Sequence, residues 1–222
     1  MIPLRDSQPS YSKPFVTIAL IFVNVLAFLY EISLDAFSLN NLMATYGLIP
    51  SRFQLTALAT SMFLHGGWLH LLGNMWFLWI FGDNVEDILG RWKYLTFYLL
   101  CGIAAGLVHV IFNSDSRLPT VGASGAIAGV MGAYLLKFPH SRIVTLVPIV
   151  FFLTTIEIPA SVLMIVWFAI QFFSGVGSIG YSDPSQGGVA WFAHVGGFLA
   201  GMALILALRP RDPYQRRAEL HW

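Results

Sequence analysis

The amino-acid sequence predicts an all-α fold, a polytopic bundle of six transmembrane helices. Of the 222 residues, 57% are hydrophobic and only 10% are charged, whereas a soluble domain has roughly 25% charged residues. The apolar residues also collect in long runs, and a helix needs roughly 20 such residues to cross a bilayer. We therefore expect a protein that is embedded in the lipid bilayer. A net charge of +1 argues against nucleic acid as a partner.

Six apolar runs are candidates for spans. They cover residues 15–32, 65–82, 93–112, 124–138, 158–174 and 188–208. The first run continues without a small-residue cleavage site, so we expect it to be kept as an anchor. The fourth run is short and rich in Gly and Ala, and the loop before it is expected to dip into the protein. A further run, residues 143–155, is too short for a span and contains Pro148, so we expect it at the cytoplasmic face.

The distribution of basic residues predicts the topology. With six spans, ten of the twelve Lys and Arg residues fall on the side that holds both termini, and only Arg52 and Arg117 fall on the other. Cytoplasmic loops carry such an excess of positive charge. The sequence thus predicts one domain over residues 1–222 in the cell (inner) membrane, with a cytoplasmic N-terminal segment at 1–14 and a cytoplasmic tail at 209–222.

The stretch "TVGASGAIAG" places one hydroxyl, Ser124, at the start of the fourth span on the outer side. Backbone N–H groups at a helix N-terminus lack intrahelical partners and lie at the positive end of the helix dipole. Such a terminus would stabilise an oxyanion. Gly122 and Gly125 would let another backbone or a substrate come close.

His194 is the strongest candidate for a base that activates this hydroxyl, because it lies near the outer end of the sixth span. Small residues recur at four-residue spacing in both spans: Gly125 and Gly129 in the fourth, Gly197 and Gly201 in the sixth. Small residues let membrane helices approach closely. Packing along these faces would bring Ser124 and His194 into hydrogen-bond range, and a hydroxyl needs such a base to become a nucleophile.

Two polar residues of the second span complete the candidate site. His70 and Asn74 are four residues apart in "HGGWLHLLGN" and share one helix face. Together with the backbone N–H of Ser124 they would form an oxyanion hole. No acidic residue belongs to the faces that carry the serine and the histidine, so a Ser–His dyad is the simpler interpretation.

These motifs resemble those of the rhomboid intramembrane serine proteases of the six-span bacterial type. The specific parts are "HGGWLHLLGN", "GASG" and "AHVGGFLAG", in this order. The resemblance implies Ser124 as nucleophile, His194 as general base, and His70 and Asn74 as oxyanion donors. It implies cleavage of transmembrane protein substrates, with small residues favoured before the scissile bond, and it implies no metal and no organic cofactor.

The sequence departs from this family at two points. Many members have a Trp-Arg pair in the loop after the first span, but here "YGLIPSRFQL" has Arg52 without the tryptophan. Many members also have an aromatic residue four positions after the serine, where this chain has Ala128. The fifth span and the loop "GVGSIGYSDPSQGG" are expected to form a gate and a cap over the site, with Trp167 and Phe172 packing the fifth span against the second.

Two other functions remain open. A His-based transporter or metal-binding membrane protein would use His65, His70 and His194, but no intramembrane carboxylate or inverted repeat accompanies them. A catalytically inactive family member that only binds membrane clients is the second alternative. His65 and His109 are assigned to structural roles such as loop anchoring.

Overall fold

The computed structural model describes residues 2–149, 152–178, 190–208 and 210, and within them the fold is mostly helical, as predicted. Eight α-helices occur in this part of the chain: α1 (Phe15–Ser33), α2 (Ala36–Tyr46), α3 (Ala57–Thr60), α4 (Trp68–Leu89), α5 (Arg91–Phe112), α6 (Ser124–Lys137), α7 (Ala160–Ser178) and α8 (Trp191–Ala207). Three strands accompany them: β1 (Ile2–Asp6), β2 (Arg142–Ile149) and β3 (Phe152–Pro159).

Helix α6 forms the centre of the bundle and packs against α4, α5 and α8. It has 14 residues, about 21 Å at 1.5 Å per residue, which is short for a bilayer span. Every side chain from Gly125 to Tyr134 is buried. Because its neighbours surround it, α6 consists of small and apolar residues on all faces rather than on one stripe.

The expected count of six spans stays a prediction. Among the described helices, α1, α5 and α7 are long and apolar enough to cross a membrane. Helix α8 is apolar but has only 17 residues. Helix α4 runs seven residues beyond the predicted end at Gly82 and carries Asp83, Glu86 and Asp87 in this extension.

The acidic end of α4 holds the start of α1 in place. The N–H groups of Val16 and Thr17 donate to the buried Glu86 carboxylate at 2.9 and 2.8 Å, and the Thr17 hydroxyl donates to it at 2.9 Å. These N–H groups lie in the first turn of α1, where no intrahelical acceptor exists. A carboxylate there also interacts favourably with the helix dipole, which explains why α4 continues through charged residues.

Within the run at residues 143–155, the described residues belong to two paired strands, so a small sheet accompanies the mostly helical fold. Strands β2 and β3 pair antiparallel, and β1 adds to the other edge of β2 with Ile2 opposite Leu146. The sequence "RIVTLV" at the start of β2 is rich in β-branched residues, which favour strands over helices. The predicted fifth span, residues 158–174, therefore corresponds to helix α7, which begins at Ala160 after β3 and continues to Ser178.

The ends of four helices meet on the face of the bundle opposite this sheet. Helices α4, α6 and α8 begin there, and α5 ends there, whereas α6 ends and α7 begins beside the sheet. The loop between α1 and α4, which contains α2 and α3, covers part of the same face through the bridge between Leu48 and Thr120. Ser124, His70 and His194 lie in the first turns of α6, α4 and α8 at this face, and Asn74 lies one turn further along α4.

Candidate active site

Ser124 opens helix α6 and is held there by the loop that precedes it. Thr120 pairs with Leu48 through two backbone hydrogen bonds of 2.8 and 3.0 Å, and the Gly122 N–H donates to the Ser61 carbonyl at 2.9 Å. The first intrahelical bond of α6 runs from the Ile127 N–H to the Ala123 carbonyl. The N–H groups of the residues between them, Ser124 included, are therefore in the first turn, where a helix leaves donors free.

His194 lies in the first turn of α8 and meets the serine. The Ser124 hydroxyl oxygen lies 2.8 Å from His194 Nε2, and the other ring nitrogen, Nδ1, is 2.6 Å from Oε1 of Gln171 on α7. The histidine is half-buried and Gln171 is 7% exposed. The structure thus brings together the serine and the histidine that the sequence paired, and it adds a third polar group.

The close approach of α6 and α8 sets this distance. A Cβ added to Gly197 would overlap the carbonyl oxygen of Gly125, and one added to Gly201 would overlap that of Gly129. The two helices therefore touch through backbone atoms at the four glycines named from the sequence. Because a backbone carbonyl cannot rotate away like a side chain, only glycine fits at these positions.

His70 and Asn74 border the loop before the serine. Gly122 has a φ of +123°, which favours glycine, and a Cβ there would lie 2.6 Å from His70 Nε2 and 3.5 Å from Asn74 Nδ2. Asn74 is 7% exposed, and its Nδ2 has no hydrogen-bond partner among the described residues. Two side-chain nitrogens of α4 therefore point at the backbone two residues before Ser124.

The hydrogen bond at the other ring nitrogen of His70 determines which nitrogen carries the proton. The Gly66 N–H donates to Nδ1 of His70 at 3.3 Å. A backbone N–H can only donate, so Nδ1 acts as the acceptor in a neutral ring, and Nε2 carries the hydrogen. His70 thus presents an N–H donor toward the candidate site.

The two aromatic residues expected to pack the fifth span against the second, Trp167 and Phe172, contact residues of α8 and α7 instead. The Trp167 ring lies 5.8 Å from the His194 ring and 6.1 Å from Phe198, both on α8. Phe172 is 43% exposed and contacts Phe168 and Phe173 of its own helix. Trp167 therefore supplies the aromatic contact to the histidine that Ala128 cannot make, and α7 packs mainly on α8 rather than on α4.

His65 and His109 lie near the site without joining it. His109 Nε2 is 2.8 Å from the Thr120 hydroxyl, which ties the end of α5 to the loop before α6. The His65 N–H donates to the Glu31 carboxylate, and its ring packs edge-on against His70 at 5.2 Å. In the described part of the chain, His, Cys, Asp and Glu side chains form no group of three that could hold a metal ion.

Sequence reasoning missed Gln171, although its position carried a signal. The buried face of α7 consists of Ala160, Met164, Gln171 and Gly175. Gln171 is the single amide in an apolar run, and a polar side chain at membrane depth is costly unless it has a partner.

The expected cap, residues 175–188, lies outside the described residues after Ser178, and this part of the loop includes Gly180, Gly187 and Gly188.

Comparison with known proteins agrees with these motifs. The model of the Rhomboid domain matches residues 52–211. The chain is 34% identical to "RHOMBOID-like protein 5" of Arabidopsis thaliana over 159 residues, which cover 71% of this chain and 46% of that protein. It is 32% identical to "Presenilin-associated rhomboid-like protein A, mitochondrial" of Danio rerio over 105 residues, 46% of this chain and 27% of that protein.

A shorter match of 91 residues, 36% identical, is found with "Rhomboid protein 1, mitochondrial" of Saccharomyces cerevisiae and covers 39% of this chain and 26% of that protein. The chain spans less than half of the length of these curated relatives. The domain match includes α4, α6 and α8, the helices that carry the serine, the histidines and the asparagine of the site. This multi-pass membrane protein therefore belongs to the rhomboid family.

Proposed function

We propose that the chain is an intramembrane serine endopeptidase that cleaves transmembrane segments of membrane proteins by a Ser124–His194 dyad. One observation carries the proposal: the 2.8 Å hydrogen bond between the serine hydroxyl and His194 Nε2, at the start of a buried helix. A serine hydroxyl is a weak nucleophile until an adjacent base removes its proton. His194 is the base within reach.

In the proposed reaction, Ser124 Oγ attacks the carbonyl carbon of the scissile peptide bond while its proton moves to His194 Nε2. The histidine then returns this proton to the leaving amine, which leaves an acyl group on the serine. A water molecule, deprotonated by the same histidine, hydrolyses the acyl group and restores the hydroxyl. A cavity of about 40 Å³ lined by Ser124, His109 and Ser61 has room for a water molecule beside the serine.

Three donors would stabilise the negative oxygen that forms during the attack. The Asn74 amide has a free N–H, His70 presents its Nε2–H, and the Ser124 N–H lies at the positive end of α6. Donors fixed in advance in a buried site stabilise developing charge more than water does. Loss of one such donor costs roughly 10²–10³ in kcat in other serine proteases.

The surroundings of the site favour a membrane substrate over a soluble one. The lipid-exposed faces of α1 and α7 are almost entirely apolar, with Phe22 61% and Phe173 71% exposed. A transmembrane segment can diffuse to such a surface, but its peptide bonds are shielded by its own helical hydrogen bonds and by lipid. The substrate would therefore unwind locally before Ser124 reaches the scissile bond.

The charge distribution supports the proposed localisation in the cell (inner) membrane, with both termini cytoplasmic and the site open to the outer side. Ten basic residues lie on one side and two on the other in this arrangement. A C-terminal reporter that is active only outside the cytoplasm should stay silent when fused after Trp222, whereas a cytoplasmic reporter should be active. The opposite result would contradict the six-span topology.

A fluorophosphonate serine probe tests the proposed activity directly. In proteoliposomes, the wild-type chain should be labelled and should cleave a model transmembrane substrate. Ser124→Ala should abolish labelling and cleavage, and His194→Ala should reduce both by at least roughly 10³-fold, while both variants stay folded. Ser33→Ala, which changes an exposed hydroxyl at the end of α1, is the matched control. A wild-type chain that is neither labelled nor active would favour the alternative of an inactive client-binding member.

A further inference from the structure

We propose that Gln171 is a positioning residue that holds His194 in the tautomer required for catalysis, an inference that rests on the proposed peptidase function. Gln171 is buried and makes a short contact to one edge of the half-buried imidazole. The amide belongs to α7, whereas the serine and the histidine belong to α6 and α8. Three helices would therefore contribute to one catalytic unit.

The contact determines where the proton of His194 lies. The Gln171 Oε1 atom is 2.6 Å from Nδ1 of His194. A carbonyl oxygen has no hydrogen to give, so Nδ1 must be the donor. In a neutral imidazole the other nitrogen then carries the lone pair, and Nε2 faces the Ser124 hydroxyl at 2.8 Å. This is the only neutral tautomer in which the histidine can accept the serine proton.

The environment explains why an amide occupies this position. Gln171 is 7% exposed and lies on the buried face of α7 between Met164 and Gly175. A buried amide without a hydrogen-bond partner is destabilising, so the bond to His194 keeps the side chain in one orientation. Trp167, one turn earlier on the same face, covers the imidazole ring at 5.8 Å. Helix α7 therefore restrains the histidine at one edge and on one face.

The neutral amide distinguishes this arrangement from one with a carboxylate. In a Ser–His–Asp triad the acidic group both orients the histidine and stabilises its positive charge. Gln171 supplies only the orientation, because its oxygen carries a partial charge. Glutamate at this position would keep an acceptor of the same length, whereas leucine would keep the volume and remove the acceptor. These two substitutions separate the hydrogen bond from packing.

The kinetic test compares Gln171→Leu and Gln171→Glu with wild type in proteoliposomes. We expect Gln171→Leu to lower kcat for a model transmembrane substrate by about 10- to 100-fold, less than the roughly 10²–10⁴ attributed to a general base itself, with KM changed less than about threefold. Gln171→Glu should restore kcat to within about threefold of wild type. Leu100→Ala, at an exposed position of α5, is the control and should leave kcat unchanged.

The tautomer itself can be measured by ¹⁵N NMR on histidine-labelled protein, with the His194 signals identified by their loss in His194→Asn. Wild type should show a protonated Nδ1 and an unprotonated Nε2, and Gln171→Leu should show a mixture. An Nε2-protonated ring in wild type, or an unchanged ring in Gln171→Leu, would overturn the proposal. This measurement does not require cleavage, nor does it depend on how stable the variants are relative to one another.

The two readouts also separate this proposal from the proposed function. If wild type cleaves and Gln171→Leu has the wild-type kcat, the positioning role is wrong and the peptidase function stands. If wild type does not cleave but its Nδ1 proton depends on Gln171, the tautomer assignment stands and the peptidase function is wrong.

Discussion

The contact of α6 with α8 differs in kind from the contact of α7 with α8. Helices α6 and α8 meet backbone to backbone, with Gly197 and Gly201 against the carbonyls of Gly125 and Gly129. Helix α7 meets α8 through side chains, chiefly Trp167 and Gln171. The opposite face of α7 is open to lipid, and Ile165, Ile170 and Phe173 on this helix are each more than half exposed.

This difference separates the two tasks of the proposed enzyme. The distance between nucleophile and base must be fixed within about 0.5 Å, and rigid backbone contact achieves this. A transmembrane substrate must also reach the site between helices, which requires a helix that can move at low energetic cost. Side-chain contacts can be broken and remade, so α7 is the better candidate for the movable element.

The largest effect is expected from breaking the backbone contact. Gly201→Ala places a methyl group against the Gly129 carbonyl, which forces the helices apart. Overpacking of this kind typically costs about 1–3 kcal/mol, and the shift would also lengthen the bond between Ser124 and His194. We expect a lower Tm in detergent and a loss of cleavage of at least about tenfold.

The matched control for this substitution lies on α7. A Cβ at Gly177 meets no atom within 4 Å, and alanine favours a helix over glycine by roughly 1 kcal/mol. Gly177→Ala should therefore keep or slightly raise Tm and leave cleavage unchanged. Equal losses in Gly201→Ala and Gly177→Ala would contradict the distinction between the two contacts.

Two aromatic substitutions on α7 are expected to have smaller effects. The Phe172 ring stacks on Phe168, whose ring contacts Phe198 of α8. Phe172→Ala should therefore loosen α7 from α8 and raise cleavage of a transmembrane substrate by about two- to fivefold, an effect of up to roughly 1 kcal/mol. Trp167→Ala also removes the cover of His194 and should lower cleavage instead.

The same two variants should be assayed on a small soluble peptide, whose access does not depend on α7. Phe172→Ala should leave this activity unchanged, and Trp167→Ala should reduce it. If Phe172→Ala raises both activities equally, the effect lies in the chemical step, and the gate must be placed elsewhere.

The smallest effect is expected from the pH dependence of an anchor at the far end of α6. The Tyr134 hydroxyl of α6 donates to the Asp6 carboxylate of β1, and burial raises the pKa of this carboxyl from 3.8 to about 6. A raised acid pKa means that the folded state holds the proton longer than the unfolded state. The stability from this group is thus full below about pH 4 and is lost as pH rises through about 6.

Asp6→Asn tests this anchor, because an amide cannot ionise. Wild-type Tm should fall between pH 5 and pH 7 by about 2–4 °C more than that of Asp6→Asn, which corresponds to roughly 1 kcal/mol after solvent screening. Asp115→Asn, in an exposed loop, should follow the wild-type curve. Identical pH curves for wild type and Asp6→Asn would show that burial does not raise the pKa of the Asp6 carboxyl in the folded chain.

Local patterns in the sequence predicted the contacts that depend on helix periodicity. The four-residue spacing of glycines predicted which faces of α6 and α8 would meet, and the spacing of His70 and Asn74 placed both on one face of α4. Residues four apart lie on the same face of any α-helix, so these patterns need no information from the rest of the chain. They therefore predicted the positions of Ser124 and His194 as well.

Contacts between distant segments left weaker signals. The partner of Gln171 lies 23 residues away on another helix, and no spacing rule connects them. The charged residues after Gly82 predicted the end of a span, whereas α4 continues to Leu89. The N–H groups that bind Glu86 belong to Val16 and Thr17, 70 and 69 residues earlier, so no local pattern indicates this contact. The run at residues 143–155 is short and contains Pro148, which favours an interfacial segment, and nothing within it indicates that β2 pairs with the distant β1.

The pairing of β1 with β2 has a consequence for the order of assembly. Residues 2–6 pair with residues 143–146, so the partner of the first strand is synthesised only after α1, α4, α5 and α6. Closing a loop of this length makes the sheet a contact of high sequence separation, which forms slowly. The first strand must therefore remain unpaired, with its edge open to other chains, until the central helix is in place. The sheet would close last and act as a seal on a bundle that has already inserted.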